Sequence, residues 1–128
     1  FLSFPPWQMP FGGHQQNSTS SIIKATPWIH LLPLDTYLGI VKMFDKRSGF
    51  GEALKEIRDT RLSIGKYEIL VKESGFSETA RTDYLTNPIY RYKFNLPVLK
   101  QLPVFGNVPG FRNVITTCIY SIIVPNSA

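Results

Sequence analysis

The chain has 128 residues, of which 43% are hydrophobic, and this is enough to bury one core without disulfides or metals. Its one cysteine, Cys118, excludes an internal disulfide, and no group of cysteines and histidines has the spacing of a zinc site. The formal net charge is +5, and no apolar run reaches the roughly 20 residues of a membrane-spanning helix. With no secretory signal either, we expect a basic protein located inside a cell or a virion.

The first eleven residues show neither a helical nor a strand period, and three prolines within them favour extended backbone. The following polar run, as far as Ser21, predicts a flexible connector. We therefore expect an arm and connector over residues 1–21 and a single domain over residues 22–128. An aromatic arm of this kind is expected to dock, either on its own chain or on another molecule, which could be a second copy or a different partner. The residues expected to mediate self-association are Phe4, Pro5, Pro6, Trp7 and Phe11.

The first half of the domain predicts one interrupted strand and two helices. Residues 22–32 are rich in β-branched and aromatic side chains, but Pro27 restricts them to an edge strand. Asp35 is a candidate cap for a short helix that begins at Thr36. A second helix is predicted from Phe50, because apolar residues recur there at i, i+3, i+4 and i+7.

The second half predicts an antiparallel sheet. Residues 62–72 and 90–96 both alternate between apolar and polar side chains, which predicts two half-buried strands joined by a polar loop over residues 76–88. A turn at Pro109 and Gly110 indicates a hairpin. Residues 114–124 are apolar on both faces, which is expected of a central strand or of a strand with one face against another subunit. The predicted fold class is α+β, with two short helices packed on a small antiparallel sheet and an extended proline-rich N-terminal arm.

The positive charge is concentrated in the C-terminal part of the chain, because no acidic residue follows Asp83. We expect an anionic partner to bind there, at Arg91, Lys93, Lys100 and Arg112. Tyr90 and Tyr92 alternate with the first two of these cations, which would suit phosphate contacts beside stacked rings. An ordinary half-buried edge strand has the same pattern, so both interpretations stay open.

No arrangement of residues points to catalysis. His14 lies in the predicted connector, His30 has no spaced partner, and Cys118 sits in the most apolar strand. We expect no catalytic residue, no metal, no cofactor and no small-molecule substrate. A metal-dependent enzyme remains a third hypothesis, since four carboxylates could supply ligands: Glu52, Glu56, Asp59 and Glu68.

The order of elements resembles the core of rhabdovirus-type matrix proteins. The features that carry the resemblance are Pro5-Pro6-Trp7 ahead of the domain, the passage from strand to helix over residues 22–44, and the strands over residues 90–96 and 114–124. The resemblance implies a non-enzymatic structural protein that forms homo-oligomers through its arm and contacts an anionic membrane surface or a nucleocapsid. The alternative is a small nucleic-acid-binding module that uses the basic, aromatic strand around residues 90–94.

Overall fold

The computed structural model describes residues 1–126, which form two compact units. One unit comprises Pro10–Arg61, and the other combines Phe1–Met9 with the chain from Leu62 onward. The predicted α+β class is confirmed at this level, because helices occur together with an antiparallel sheet. The predicted number of two helices is wrong, since the described residues contain seven. No helix among them is both long and apolar enough to cross a bilayer.

The first unit is helical. It contains α1 (Ser21–Ala25), α2 (Leu34–Phe44) and α3 (Phe50–Thr60), with 3₁₀ turns at Gln15–Asn17 and Ile29–Leu31. The two helices predicted in this region correspond to α2 and α3. Their apolar stripes meet in a core with α1, and the core residues are Ile23, Ile29, Tyr37, Val41 and Leu54.

The edge strand predicted over residues 22–32 is wrong. Ser20 accepts a hydrogen bond from the backbone nitrogen of Ile23 at 3.5 Å and caps α1 at this point. Trp28 then adopts a left-handed backbone with φ of 57°, which turns the chain into the second 3₁₀ turn. Local capping and turn chemistry therefore outweigh the β-branched composition.

Polar residues of the predicted connector are part of the interior of this unit. Gln15 and Ser18 are buried, and the Ser18 hydroxyl donates to the buried carboxylate of Asp45 at 2.8 Å. Gly13 packs directly under His30, where an added Cβ would lie 2.2 Å from the Cβ of the histidine. Composition alone assigned this polar segment to solvent, but hydrogen bonds hold it against the core.

The second unit contains a three-stranded sheet with helices in its connections. The strands are β1 (Leu2–Phe4), β2 (Phe76–Tyr84) and β3 (Cys118–Pro125). The helices are α4 (Ile64–Glu73), α5 (Ile89–Phe94), α6 (Pro103–Gly106) and α7 (Phe111–Ile115). The strand order is β1-β3-β2 with both pairs antiparallel, so β3 is central. The central strand predicted over residues 114–124 is thus confirmed from Cys118 onward, whereas residues 114 and 115 belong to α7.

The other predictions for this half are wrong. Residues 62–72 form α4 in place of a strand, and the Ser63 hydroxyl caps it by accepting from the backbone nitrogen of Lys66. The expected loop over residues 76–88 contains β2, the longest strand of the sheet. Residues 90–96 fall mainly in α5, so the hairpin between that segment and residues 114–124 does not form.

The N-terminal residues pair within their own chain. Leu2, Ser3 and Phe4 lie opposite Ser121, Tyr120 and Ile119. Trp7 and Met9 are 8% and 5% exposed, and the Trp7 nitrogen donates to the Leu62 carbonyl at 2.9 Å. The arm was expected to dock on its own chain or on another molecule. In the structure it docks on its own chain, so the segment is not a free arm.

Candidate docking surface

Residues 89–111 contain the largest group of exposed apolar side chains along the described chain. The most exposed are Tyr92 at 88%, Val104 at 75%, Phe94 at 59% and Leu102 at 55%. The segment begins with α5 and continues through an extended stretch and α6 to the start of α7. An exposed apolar segment of this extent is typical of a surface that contacts a partner or a membrane.

Three of the predicted cations lie in this segment and are exposed. Arg91 and Lys93 belong to α5, and Lys100 forms an isolated antiparallel bridge with Tyr84. Within residues 1–126, none of the three has a carboxylate at ion-pair distance. Because the segment also contains no acidic residue, its positive charge is uncompensated.

Arg112, the fourth predicted cation, has a different environment. Both of its terminal nitrogens donate to Glu68 on α4, at 2.9 and 2.7 Å. Glu68 also accepts from Arg81 on β2 at 2.8 Å, and Arg81 donates to Asp83 at 2.6 and 2.9 Å. This charge cluster, formed by Glu68, Arg81, Asp83 and Arg112, joins α4, β2 and α7.

The ionisation of the cluster follows from its geometry. Burial alone would raise the pKa of Glu68, but hydrogen bonds from Arg112 and Arg81 outweigh it and hold that pKa below its ordinary value. Burial would lower the pKa of Arg81, yet hydrogen bonds to Asp83 and Glu68 raise it. A cavity of about 360 Å³ opens beside the cluster. Since the charges lining it already pair with each other, Arg112 is not placed to bind an external anion.

The aromatic and basic residues around position 90 lie on a helix, and the strand expected there is wrong. The rings of Tyr90 and Phe94 pack edge to face with centroids 5.5 Å apart, across one helical turn. Burial, with a smaller contribution from nearby Cys118, raises the pKa of Tyr90. Tyr92 is exposed, and its neighbours Arg91 and Lys93, exposed as well, project from α5 about 100° to either side of it.

The residues predicted to mediate self-association do not form one exposed surface. The Phe4 ring packs on Tyr67 with centroids 4.9 Å apart, Pro5 is half-buried, and Pro6 and Trp7 are buried. Phe11 is half-buried and belongs to the helical unit. The strongly exposed aromatic residue at this end of the chain is Phe1, at 83%.

The residues considered for catalysis are dispersed. Burial raises the pKa of the Cys118 thiol to about 11, and the side chain is 3% exposed. Glu52, Glu56 and Asp59 are exposed along α3, whereas Glu68 is held by two arginines. Among the described residues, no group of three histidine, cysteine or acidic side chains is placed to hold a metal ion.

Sequence reasoning missed a second polar group on the packed face of the sheet. The Tyr67 hydroxyl on α4 donates to the Ser121 hydroxyl at 2.7 Å, and Ser121 donates to Glu78 at 2.5 Å. The spacing of charges in residues 76–84 was the available signal, but the segment was interpreted as a loop.

The chain matches no family model, no curated protein and no solved structure.

Proposed function

We propose that this chain is a non-enzymatic structural protein that docks on an anionic lipid surface through residues 89–111. The observation that carries the proposal is the combination, in one acid-free segment, of strongly exposed apolar side chains with the exposed cations Arg91, Lys93 and Lys100. Each component has a separate physical role at a membrane.

The apolar component supplies burial. Tyr92, Phe94, Leu102 and Val104 expose more than half of their surface, and such side chains gain free energy in the boundary between headgroups and acyl chains. Removing apolar area from water contributes about 25 cal/mol per Å², so a few such side chains give reversible binding. No helix of the described residues needs to span the bilayer for this mode.

The cationic component supplies selectivity for charge. A lysine or arginine close to an anionic leaflet contributes about 1 kcal/mol at physiological ionic strength. Arg91 and Lys93 project from α5 about 100° to either side of Tyr92. Their long side chains can therefore reach headgroups on both sides of an inserted tyrosine ring. The proposal does not rest on the resemblance to rhabdovirus-type matrix proteins, because two of the strands that carry that resemblance, over residues 22–32 and 90–96, are helical here. Self-association of the chain remains a prediction.

A nucleic acid is the second candidate, favoured by the same exposed tyrosine between two cations. Stacking on one ring and two phosphate contacts would give binding that falls steeply with salt. A nucleic-acid partner would leave the exposed Leu102 and Val104 without a role, however, because aliphatic side chains offer no stacking surface. The lipid surface therefore accounts for more of the segment.

The test is co-sedimentation with vesicles of phosphatidylcholine and phosphatidylserine, compared with phosphatidylcholine alone and with single-stranded poly(U). We expect binding to the phosphatidylserine vesicles, weaker binding to neutral vesicles and none to poly(U). Substituting Leu102→Ser and Val104→Ser should reduce vesicle binding about tenfold or more, from the apolar area lost. The R91Q/K93Q variant should reduce it by a similar factor, and only on the anionic vesicles.

The matched controls lie on the helical unit. Met43→Ser removes an equally exposed apolar side chain, and K42Q/K55Q removes two exposed cations. Both should bind vesicles as the unmodified chain does. Binding to poly(U) that R91Q/K93Q abolishes and L102S/V104S leaves intact would replace the lipid proposal with the nucleic-acid one. Equal losses in the control variants would show that net charge and total apolar exposure, and not this segment, drive binding.

A further inference from the structure

The outer side of β2 is an edge of the sheet, because β2 pairs only with β3 in the order β1-β3-β2. The chain covers one end of this edge itself. The Gln101 nitrogen donates to the Asp83 carbonyl at 2.8 Å, and Leu85 donates to the Leu99 carbonyl at 2.9 Å. Tyr84 and Lys100 form an antiparallel bridge at this point. Extended backbone laid along the edge is therefore a pairing that the molecule already makes.

This self-pairing stops before it reaches the rest of β2. Pro103 begins α6, and within the described residues no backbone hydrogen bond reaches the outer side of residues 76–82. Ser77, Glu78, Thr79 and Ala80 are exposed, and none of these positions is a proline. The backbone donors and acceptors that point outward here are available to an additional strand.

A cleft of about 340 Å³ lies beside the open edge, between α4 and β2. Val71, Phe76 and the ring of Tyr67 provide apolar lining. The charged residues of the lining are Glu78, Glu68 and Lys72, of which Glu68 pairs with Arg81 and Arg112. The cleft is on the face of the sheet that carries α4, because the Tyr67 hydroxyl lies 3.0 Å from the Glu78 carboxylate. Side chains of an added strand that point to this face would enter the cleft at every second position.

Glu78 retains capacity for a further cation. Its Oε1 atom accepts from Ser121 and lies 3.0 Å from the Tyr67 hydroxyl, whereas the nearest cation to Oε2 is Arg81, at 3.8 Å. Arg81 makes its shorter contacts, of 2.6 to 2.9 Å, with Asp83 and Glu68. A lysine or arginine facing Glu78 would form a charge-assisted hydrogen bond with Oε2.

We propose that the open half of β2 accepts an extended segment of a partner protein as an added strand. The segment has a basic side chain facing Glu78 and an apolar side chain two positions away, in the cleft beside Phe76 and Val71. The inference is independent of the proposed lipid contact, since the residues that would bind the added strand belong to α4 and β2. Residues of the 89–111 segment enter only because they cover the other end of the edge.

A second copy of the same chain fits this edge poorly. A two-fold antiparallel pairing centred on residue 78 or 79 brings the two Glu78 carboxylates opposite or diagonal to each other, which is unfavourable. The register of β2 is also irregular between Glu78 and Ala80, so two such strands would place their irregular positions together. A basic segment from another protein avoids both problems.

The test uses the heptapeptide acetyl-Thr-Val-Thr-Lys-Thr-Val-Thr-amide and its analogue with glutamate in place of lysine. We expect the lysine peptide to shift the backbone amide resonances of residues 76–82 and to bind about 2- to 5-fold more tightly than the glutamate peptide, from one opposite-charge cross-strand pair. A lysine peptide N-methylated at alternate amides should not bind, because main-chain donors are lost.

Variants of the protein then assign the charge preference. Glu78→Gln keeps the oxygen that accepts from Ser121 and should bring the affinities of the two peptides to the same value. Glu73→Gln, at the exposed end of α4, should leave their ratio unchanged. Any one of four results would overturn the proposal. These are equal binding of the N-methylated peptide, amide shifts outside residues 76–82, an unchanged ratio in the Glu78→Gln protein, and concentration-dependent dimers that the lysine peptide does not dissociate.

Discussion

Arg112 donates through both terminal nitrogens to the two carboxylate oxygens of Glu68, although 44 residues separate the pair in the chain. The contact ties α7, where the exposed 89–111 segment ends, to the helix that packs on the sheet. Because Arg81 shares the same carboxylate, the cluster holds three elements of the unit together.

Breaking this pair should destabilise the unit modestly. The Glu68 side chain is 38% exposed, so solvent screens the attraction, and we expect a coupling energy of about 1 kcal/mol. A double-mutant cycle of Glu68→Gln and Arg112→Gln, followed by urea unfolding, measures it. A coupling energy near zero would show that α7 is held by its other contacts, such as the Asn113 side chain accepting from the Ile64 nitrogen.

The same carboxylate predicts a pH dependence. The pKa of Glu68 lies below its ordinary value of 4.5 in the folded chain, so its stabilisation is complete above that value and is lost as the pH falls through the lowered pKa. The free energy of unfolding should therefore decrease on acidification below about pH 4.5, and less so for Glu68→Gln. An equal decrease in both proteins would assign the effect to other carboxylates.

The N-terminal residues should contribute to stability whether or not copies associate. Trp7→Ala removes a side chain that is 8% exposed and should cost about 3–5 kcal/mol. Phe1→Ala removes one that is 83% exposed and should change stability by no more than about 0.5 kcal/mol. Chemical unfolding of both variants, with the mass in solution measured alongside, separates folding from association. A dissociated but equally stable Trp7→Ala protein would show that this residue serves an interface.

The Tyr67 hydroxyl should contribute measurably to the free energy of unfolding. The hydroxyl is 2.7 Å from the buried Ser121 and 3.0 Å from the Glu78 carboxylate at the edge of the sheet. Tyr67→Phe removes the hydrogen bond that the phenol donates and leaves Ser121 buried with a partner fewer. We expect a loss of about 1–3 kcal/mol in the free energy of unfolding. Tyr92→Phe, at a tyrosine that is 88% exposed, should have no measurable effect and serves as the control.

The Cys118 thiol should be unreactive in the folded protein. Its pKa is raised from 9.0 to about 11 by burial, so the thiolate fraction at neutral to mildly alkaline pH falls about 100-fold. Alkylation by iodoacetamide should be slower than in urea-unfolded chain by at least this factor. Reaction at the unfolded rate would contradict the burial of β3.

The sequence predicted those elements whose local pattern agrees with their packing. The stripe of Phe50, Ala53, Leu54 and Ile57 has only the helical period, and α3 forms there. The apolar run around Ile119 has the composition of a buried strand, and β3 is central. In these cases no longer-range contact was needed to choose between the alternatives.

Short alternating segments were not decidable from their pattern. Residues 64, 67 and 71 fit a helical period as well as part of a two-residue period, and the Ser63 cap decides for α4. The polar sequence of β2 is interpretable only with its partners, since Glu78 is bonded by Tyr67 and Ser121, and Arg81 by Glu68. The exposure of Arg91 and Lys93 agrees with the alternating pattern around them. The pairing of Arg112 with Glu68 could not be predicted, because it joins residues that are 44 positions apart.

The central position of β3 also sets an order of assembly. Each of its neighbours is made earlier in synthesis, and β1 precedes it by nearly the whole length of the chain. Neither β1 nor β2 has a strand to pair with until residues 118–125 have left the ribosome, so the sheet forms only after translation of that stretch. Until then the apolar N-terminal residues and the edge of β2 remain accessible to other proteins in the cell, chaperones included.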